Sequence, residues 1–270
     1  MWFDAHIHLD VMATEALRGA LWADPDYRAI IPGCDPVDVA EALARFEGDA
    51  RLFVATAIHP WETGVTGTGA TGHGGPDPWE PHLDPRWPLL EAQAADPRVV
   101  AVGECGLDFY RFTDTADRER VERYFTAQVE LAVRVGKPLL IHCVRAHARV
   151  AELLERHGAA RVGGMVHAFA GSLEEARRYA RAGFFVSIGA SVDREASRRV
   201  RAVAAALPAS QLLIETDAPW MATRGKPGWA GTVDDLLDVG GAVAMLRGAP
   251  VDEVATLSRQ NALRLLGQVG

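Results

Sequence analysis

Short apolar runs recur along the chain at near-regular intervals, with polar segments of helical length between them. The runs cover 1–7 (MWFDAHI), 28–33 (RAIIPG), 51–60 (RLFVATAIHP), 98–104 (RVVAVGE), 137–143 (KPLLIHC), 163–169 (GGMVHAF), 184–190 (FFVSIGA) and 211–217 (QLLIETD). Each has the length and the Val, Ile and Leu content of a strand buried on both faces. The intervening segments place apolar residues at helical spacing: over 117–136 these are Val121, Phe125, Val129, Ala132 and Val133. Segment 172–183 opens on Ser172 with Glu175 three places on, a capping box, and closes on Gly183. A further helix with a basic outer face is predicted over 193–207, opening on Asp193.

Eight strands alternating with helices predict an α/β fold, a (β/α)8 TIM-type barrel, as one domain over 1–270. A doubly wound open sheet buries parallel strands in the same way, so periodicity alone leaves it as the second choice. One segment breaks the rhythm. Residues 63–78 are rich in Gly and Thr, carry no periodicity and are long for a βα loop, so they read as an insertion, either a mobile functional loop or a disordered stretch. His73 in that segment reads as a solvated side chain, as does His82 near it.

Composition narrows the function. The chain has 270 residues, 49% of them apolar, and a formal charge of −8. That balance argues against non-specific binding to duplex DNA or anionic membrane, because phosphates are held mainly by Lys and Arg. A bound metal would supply positive charge locally. No apolar run is long enough to span a bilayer, and no secretory leader is visible. Cys34, Cys105 and Cys143 have no paired spacing, so a disulfide framework or zinc finger is not expected, and a reducing cytoplasm is the natural setting.

The chemistry sits at the ends of the runs. His6 and His8 lie on the first, His59 ends the third, Glu104 the fourth, His142 is near the end of the fifth, His167 of the sixth, and Asp217 ends the eighth. Alternation along a strand points His6 and His8 to one face. Active sites of barrels are built at the C-terminal ends of different strands. His147 and His157, on a predicted helix, read instead as ordinary structural residues. Five imidazoles and two carboxylates at equivalent strand ends are costly to bury without a metal or a complete hydrogen-bond network. Nitrogen and carboxylate donors together suit zinc, manganese or iron, and magnesium less well. In a closed barrel, His6 and His8 would hold one ion and His142 and His167 a second. Glu104 would bridge them, and Asp217 would serve as ligand to the first ion and as proton acceptor. Two ions that activate water predict metal-assisted hydrolysis.

These residues lie in motifs that together resemble the TatD family of metal-dependent hydrolases, a branch of the amidohydrolase superfamily. The matching pieces are DAHIHLD, AIHPW, AVGECGLDFY, LLIHC, GGMVHAFAGS, LLIETDAPWM and the closing NALRLLG, in order over nearly the whole chain. The resemblance implies a TIM-type barrel holding two divalent ions, with zinc, manganese and magnesium as candidates. Residue by residue, it implies His6, His8, Glu104, His142, His167 and Asp217 as metal ligands, with Asp217 and Glu104 catalytic. His59 and Arg224 are implied to contact substrate. Asp108 reads equally as a loop-fixing carboxylate and as a substrate contact, and Glu215 as a residue that orients a ligand. Two features depart from the pattern. Val144 stands where the family often has Arg, with Arg145 next, and RGKPGWAG keeps Arg224 and Gly225 but loses the Asn and Pro that often follow.

The substrate implied is a phosphodiester, cut by a deoxyribonuclease that trims single-stranded ends in a 3'-5' exonuclease-like manner. Nucleic acid is then the partner, with no membrane and no obligate protein partner evident. Trp61 and Trp220, beside two strand ends, are rings on which bases could stack or that pack over the barrel mouth. Hydrolysis of a small ester, lactone or amide, or of an aminoacyl-RNA ester, is the enzymatic alternative, and a non-catalytic metal-binding protein the alternative of another class.

Overall fold

The structure is a computed structural model that describes residues 1–12, 19–63, 80–227 and 230–267. Each of the eight apolar runs carries a strand, β1 (Phe3–Asp4), β2 (Arg28–Ile31), β3 (Leu52–Thr56), β4 (Val99–Asp108), β5 (Leu139–Val144), β6 (Gly164–Val166), β7 (Phe184–Ile188) and β8 (Leu212–Ile214), though β4 continues past its run and so places Glu104 mid-strand rather than at a strand end. They form one sheet in chain order, β1 to β8, and the paired registers are parallel. β1 is short, yet the chain beyond it keeps ladder-like bonds on both sides. Ile7 donates its N–H to the Ile30 carbonyl of β2, and Ala5 donates to the Ile214 carbonyl of β8. The first strand therefore bonds both the second and the last, which closes the order into a (β/α)8 barrel and removes the open-sheet alternative.

The helices are α1 (Ala20–Ala23), α2 (Pro36–Arg45), α3 (Trp87–Ala95), α4 (Thr115–Val135), α5 (His147–Arg156), α6 (Leu173–Arg181), α7 (Arg198–Ala206), α8 (Asp235–Arg247) and α9 (Val251–Leu265). In α4 the predicted face is buried at Val121, Phe125, Val129 and Ala132, while Val133 is only partly so. Asp114 caps its start, and Gly136, left-handed at φ 71°, ends it. The capping box of α6 is present with both of its hydrogen bonds. α7 starts later than the sequence suggests. Asp193 closes a short 3-10 turn (Ala190–Asp193) and gives its carboxylate to the Arg224 N–H, so it does not cap the helix. From residue 64 onward, the Gly-rich segment lies outside the described residues, and with it His73.

The chain forms two compact units, one of Met1–Ile31, Phe46–Phe53 and Gly163–Gly270, the other of Pro32–Arg45 and Val54–Val162. In the first, Phe3 stacks on Phe53 with ring centroids 5.7 Å apart, and Tyr27, Ile30, Phe169 and Val186 are fully buried around the strands. Two polar side chains of α9 fix β8. Ser258 accepts the Ile214 N–H, and Asn261 donates to the Leu212 carbonyl. In the second unit, Ile58, Leu90, Val102, Phe125 and Leu140 form the core. There the Gln128 amide, on the buried face of α4, bonds both the N–H and the carbonyl of Ile58 (2.8 and 3.0 Å) and so sets the backbone just before His59.

No helix among the described residues is long and apolar enough to cross a membrane.

Candidate metal centre

In the first unit, the chain leaving β1 carries His6 and His8 two places apart, and the chain leaving β8 carries Asp217. The Asp217 N–H bonds the His6 carbonyl (2.9 Å), which fixes the two segments side by side. Three donor atoms then converge. The Nε2 atoms of His6 and His8 are 3.3 Å apart, and Asp217 Oδ1 lies 3.4 Å from His8 Nε2 and 3.8 Å from His6 Nε2. All three residues are buried. The His167 ring stacks on His6 at 4.0 Å between centroids and 10° between planes. Burial pushes the Asp217 carboxyl up, but the imidazoles of His8, His167 and His6 outweigh it and hold it below the usual carboxylate range.

The backbone around this triangle is held by two further carboxylates. Asp4, fully buried, accepts the N–H groups of His6 and Thr216 on one oxygen and the Thr216 hydroxyl on the other. Burial pushes its carboxyl up to about 8 although these donors pull it down. Glu215 Oε1 accepts the Ala168 N–H at 2.5 Å and lies 3.6 Å from His167 Nδ1, the position expected of a carboxylate that orients a ligand imidazole. Asp217 and Ala168 have φ of 55° and 42°, in the left-handed region that costs most residues about 1–3 kcal/mol and tends to persist at functional sites.

The second unit gathers another set. Glu104 Oε1 is 2.7 Å from His142 Nδ1 and 3.3 Å from His59 Nε2, with all three side chains buried. His59 Nδ1 already accepts the Trp61 N–H (3.2 Å), which leaves Nε2 as the nitrogen facing Glu104. Asp108 Oδ2 is 3.4 Å from His142 Nε2 and accepts the Trp61 indole N–H at 2.8 Å, while Oδ1 accepts the N–H groups of Tyr110 and Arg111. Burial opposes its charge, but His142 and these N–H donors hold the Asp108 carboxyl well below the usual range. Of the two readings of Asp108, as loop-fixing carboxylate and as substrate contact, these bonds supply the first, and its contact with His142 comes in addition. Gly106 pairs with His142 in the β4–β5 register, so the Gly of the fourth-strand motif and the fifth-strand histidine are neighbours.

His59, read from the sequence as a substrate contact, stands among ligand-type atoms. Arg224 is exposed, its guanidinium 3.8 Å from Glu195. His147 lies 3.1 Å from the Cys143 sulfur and His157 bonds Glu130, in keeping with structural roles, while His82, read as solvated, is exposed with its ring against Trp87. Asp4, Thr216 and Gln128 escaped sequence reasoning. Only a polar residue in an otherwise apolar face hinted at Gln128.

Do these donors suit a metal? A tetrahedral ion with nitrogens about 2.0–2.1 Å away would separate them by about 3.3–3.4 Å. The His6–His8 spacing matches that separation, and Asp217 adds a charged oxygen at the same scale. His6, His8 and Asp217, and separately His59, Glu104 and His142, each offer three ligand atoms lying within 4.8 Å of one another.

Known proteins agree with this chemistry. The chain matches the family described as TatD related DNase over residues 3–267. It is 33% identical to the metal-dependent hydrolase YjjV of Escherichia coli strain K12, over 88% of this chain and 85% of that one. It is 40% identical to the 3'-5' ssDNA/RNA exonuclease TatD of Edwardsiella piscicida, over 53% of this chain and 57% of that one. Among solved structures, the E. coli YjjV crystal structure superposes with a TM-score of 0.82 at 29% identity, covering 98% of this chain and 97% of that one.

Proposed function

The chain belongs to the TatD related DNase family and is a metal-dependent hydrolase, and on that premise we propose that it cleaves phosphodiesters at single-stranded nucleic-acid ends, releasing nucleotides in the 3'-5' sense. The observation that carries this is the triangle of His6, His8 and Asp217, in which two imidazole nitrogens and a carboxylate oxygen converge at 3.3–3.8 Å in a buried setting. The relatives named as 3'-5' ssDNA/RNA exonucleases supply the substrate class.

Two ions fit the reading, with zinc, manganese and magnesium as candidates. His6, His8 and Asp217 would hold one, with His167 stacked on His6, and Glu104 and His142 would serve a second, with His59 beside them. When bound, such ions supply Lewis-acid activation of water and of the scissile ester. The chain's own contribution is placement and proton handling. Asp217, held ionised by its imidazole neighbours, takes the proton that attack by water releases. Asp4 and Glu215 keep the ligand-bearing segments fixed while this happens.

Purified protein supplied with each candidate metal should release mononucleotides from single-stranded DNA, and a chelator should stop it. Asp217→Asn should lower kcat by about 10³-fold while retaining the fold, as seen by circular dichroism. Glu104→Ala should reduce the metal content per chain. Hydrolysis of small esters without nucleotide release under any of the metals would instead favour the small-ester reading, to which the departures at Val144 and after Gly225 lean.

A further inference from the structure

Resting on the nuclease reading above, we propose that Trp61, Tyr110, Arg111 and Arg145 form a stacking platform that receives the single-stranded end of the substrate. Trp61 is 45% and Tyr110 65% exposed, although both are large aromatic residues. Each carries a guanidinium over its ring: Arg111 lies 4.7 Å from the Trp61 centroid and Arg145 4.6 Å from the Tyr110 centroid. Other arginines of the same unit are neutralised by carboxylates, Arg98 by Asp96, Arg149 by Glu122 and Arg156 by Glu152. Among the described residues, Arg111 and Arg145 have no such partner. In a chain of charge −8, Arg111 and Arg145 are thus cations without a carboxylate, each beside an exposed aromatic ring. Alternating phosphates and bases are the ligand this pattern complements. Bases stack on rings regardless of sequence, and a planar guanidinium can pair with phosphate while lying against a ring.

Two observations tie the platform to the site. Asp108 binds it from beneath: one oxygen takes the N–H groups of Tyr110 and Arg111, while the other takes the Trp61 indole N–H and lies 3.4 Å from His142. The Trp61 ring is 5.2 Å from that of His59 and 6.1 Å from that of His142, so a base stacked there sets the adjoining backbone beside His59, Glu104 and His142. Arg145 also holds φ at 54°, a conformation an arginine adopts only against a steric penalty, and its side chain is aimed at Tyr110 rather than at a carboxylate.

The test is binding of a short fluorescein-labelled oligothymidylate in EDTA, followed by anisotropy at several salt concentrations, so that hydrolysis plays no part. Arg145→Ala and Tyr110→Ala should each weaken binding at least about fivefold. The two should be non-additive when combined, because one side chain lies on the other. Arg145→Ala should flatten the slope of log K against log salt by about 0.7, the loss of one phosphate contact. Arg98→Ala removes the same charge away from the platform and should leave affinity unchanged. Loss of affinity by Arg145→Ala no greater than by Arg98→Ala, with wild type still binding and cleaving the strand, overturns the platform and leaves the nuclease reading standing. A wild type that neither binds nor cleaves any strand while hydrolysing a small ester overturns both.

Discussion

His6 and His8 lie just beyond β1, His6 in a bend rather than on the strand that their alternation suggests, yet their Nε2 atoms meet at 3.3 Å. A less visible dependence holds at Gly106. Its φ is 152°, and a Cβ built there would meet the His142 carbonyl oxygen at 1.9 Å, a backbone atom that cannot swing aside. Gly106→Ala should therefore destabilise the protein by roughly 3 kcal/mol, read from the urea midpoint, and loosen metal binding through His142. A midpoint equal to that of wild type would show that β4 and β5 can part without cost. The glycine is legible in the sequence only as a letter of a motif; its reason appears once β4 and β5 are paired. The candidate ligands are legible because imidazoles and carboxylates stand out at or near the ends of apolar runs. Asp4 was not, since one acid within a run of seven looks the same whether it faces water or clamps Thr216 and the His6 backbone.

At the scale of elements, strands and long helices could be read because their periods are strong, and α4 runs within two residues of its predicted bounds. α7 could not, because Asp193 is equally suited to cap a helix and to bond a distant N–H, and the Arg224 amide claims it. The entry to α3 shows what local patterns conceal. Arg86 bonds Asp84 and Asp35 at 2.7 Å each and the Glu62 carbonyl at 2.9 Å, and the Tyr124 hydroxyl of α4 donates to Asp84. Burial pushes the Asp84 carboxyl up, but Arg86 and Tyr124 together hold it below the usual range. A carboxyl depressed in the folded state adds stability that is fully present above its unfolded pKa, about 3.9, and is lost as pH falls through the lower folded value. Asp84→Asn should cost about 3 kcal/mol at neutral pH, and the gap between the two proteins should narrow as the pH falls below about 4. Melting curves across pH 3–7 check this, and a gap that stays constant to pH 3 would mean that the ion pair is not the source of the loss.

For the whole molecule, the balance of buried charge matters more than its net value of −8. Asp217 and Glu104 are almost wholly withdrawn from water, with imidazoles as their nearest counter-groups. The imidazoles around Asp217 favour its charged form, and a cation among the three donors would meet that buried charge directly. A ligand that binds the folded state and not the unfolded adds RT ln(1 + [L]/Kd), about 4 kcal/mol at a thousandfold excess over Kd. For a chain of this size that corresponds to a rise in melting temperature of about 10 °C. Exhaustive chelation should lower the melting temperature by that order, and restoring zinc or manganese should recover it. Asp217→Asn, which removes one charge from the triangle of donors, should melt closer to the chelated protein and respond less to added metal. Identical melting with and without chelator, in protein shown by elemental analysis to lose its metal to the chelator, would mean that the ion binds too weakly, or too nearly equally to the unfolded chain, to stabilise the fold.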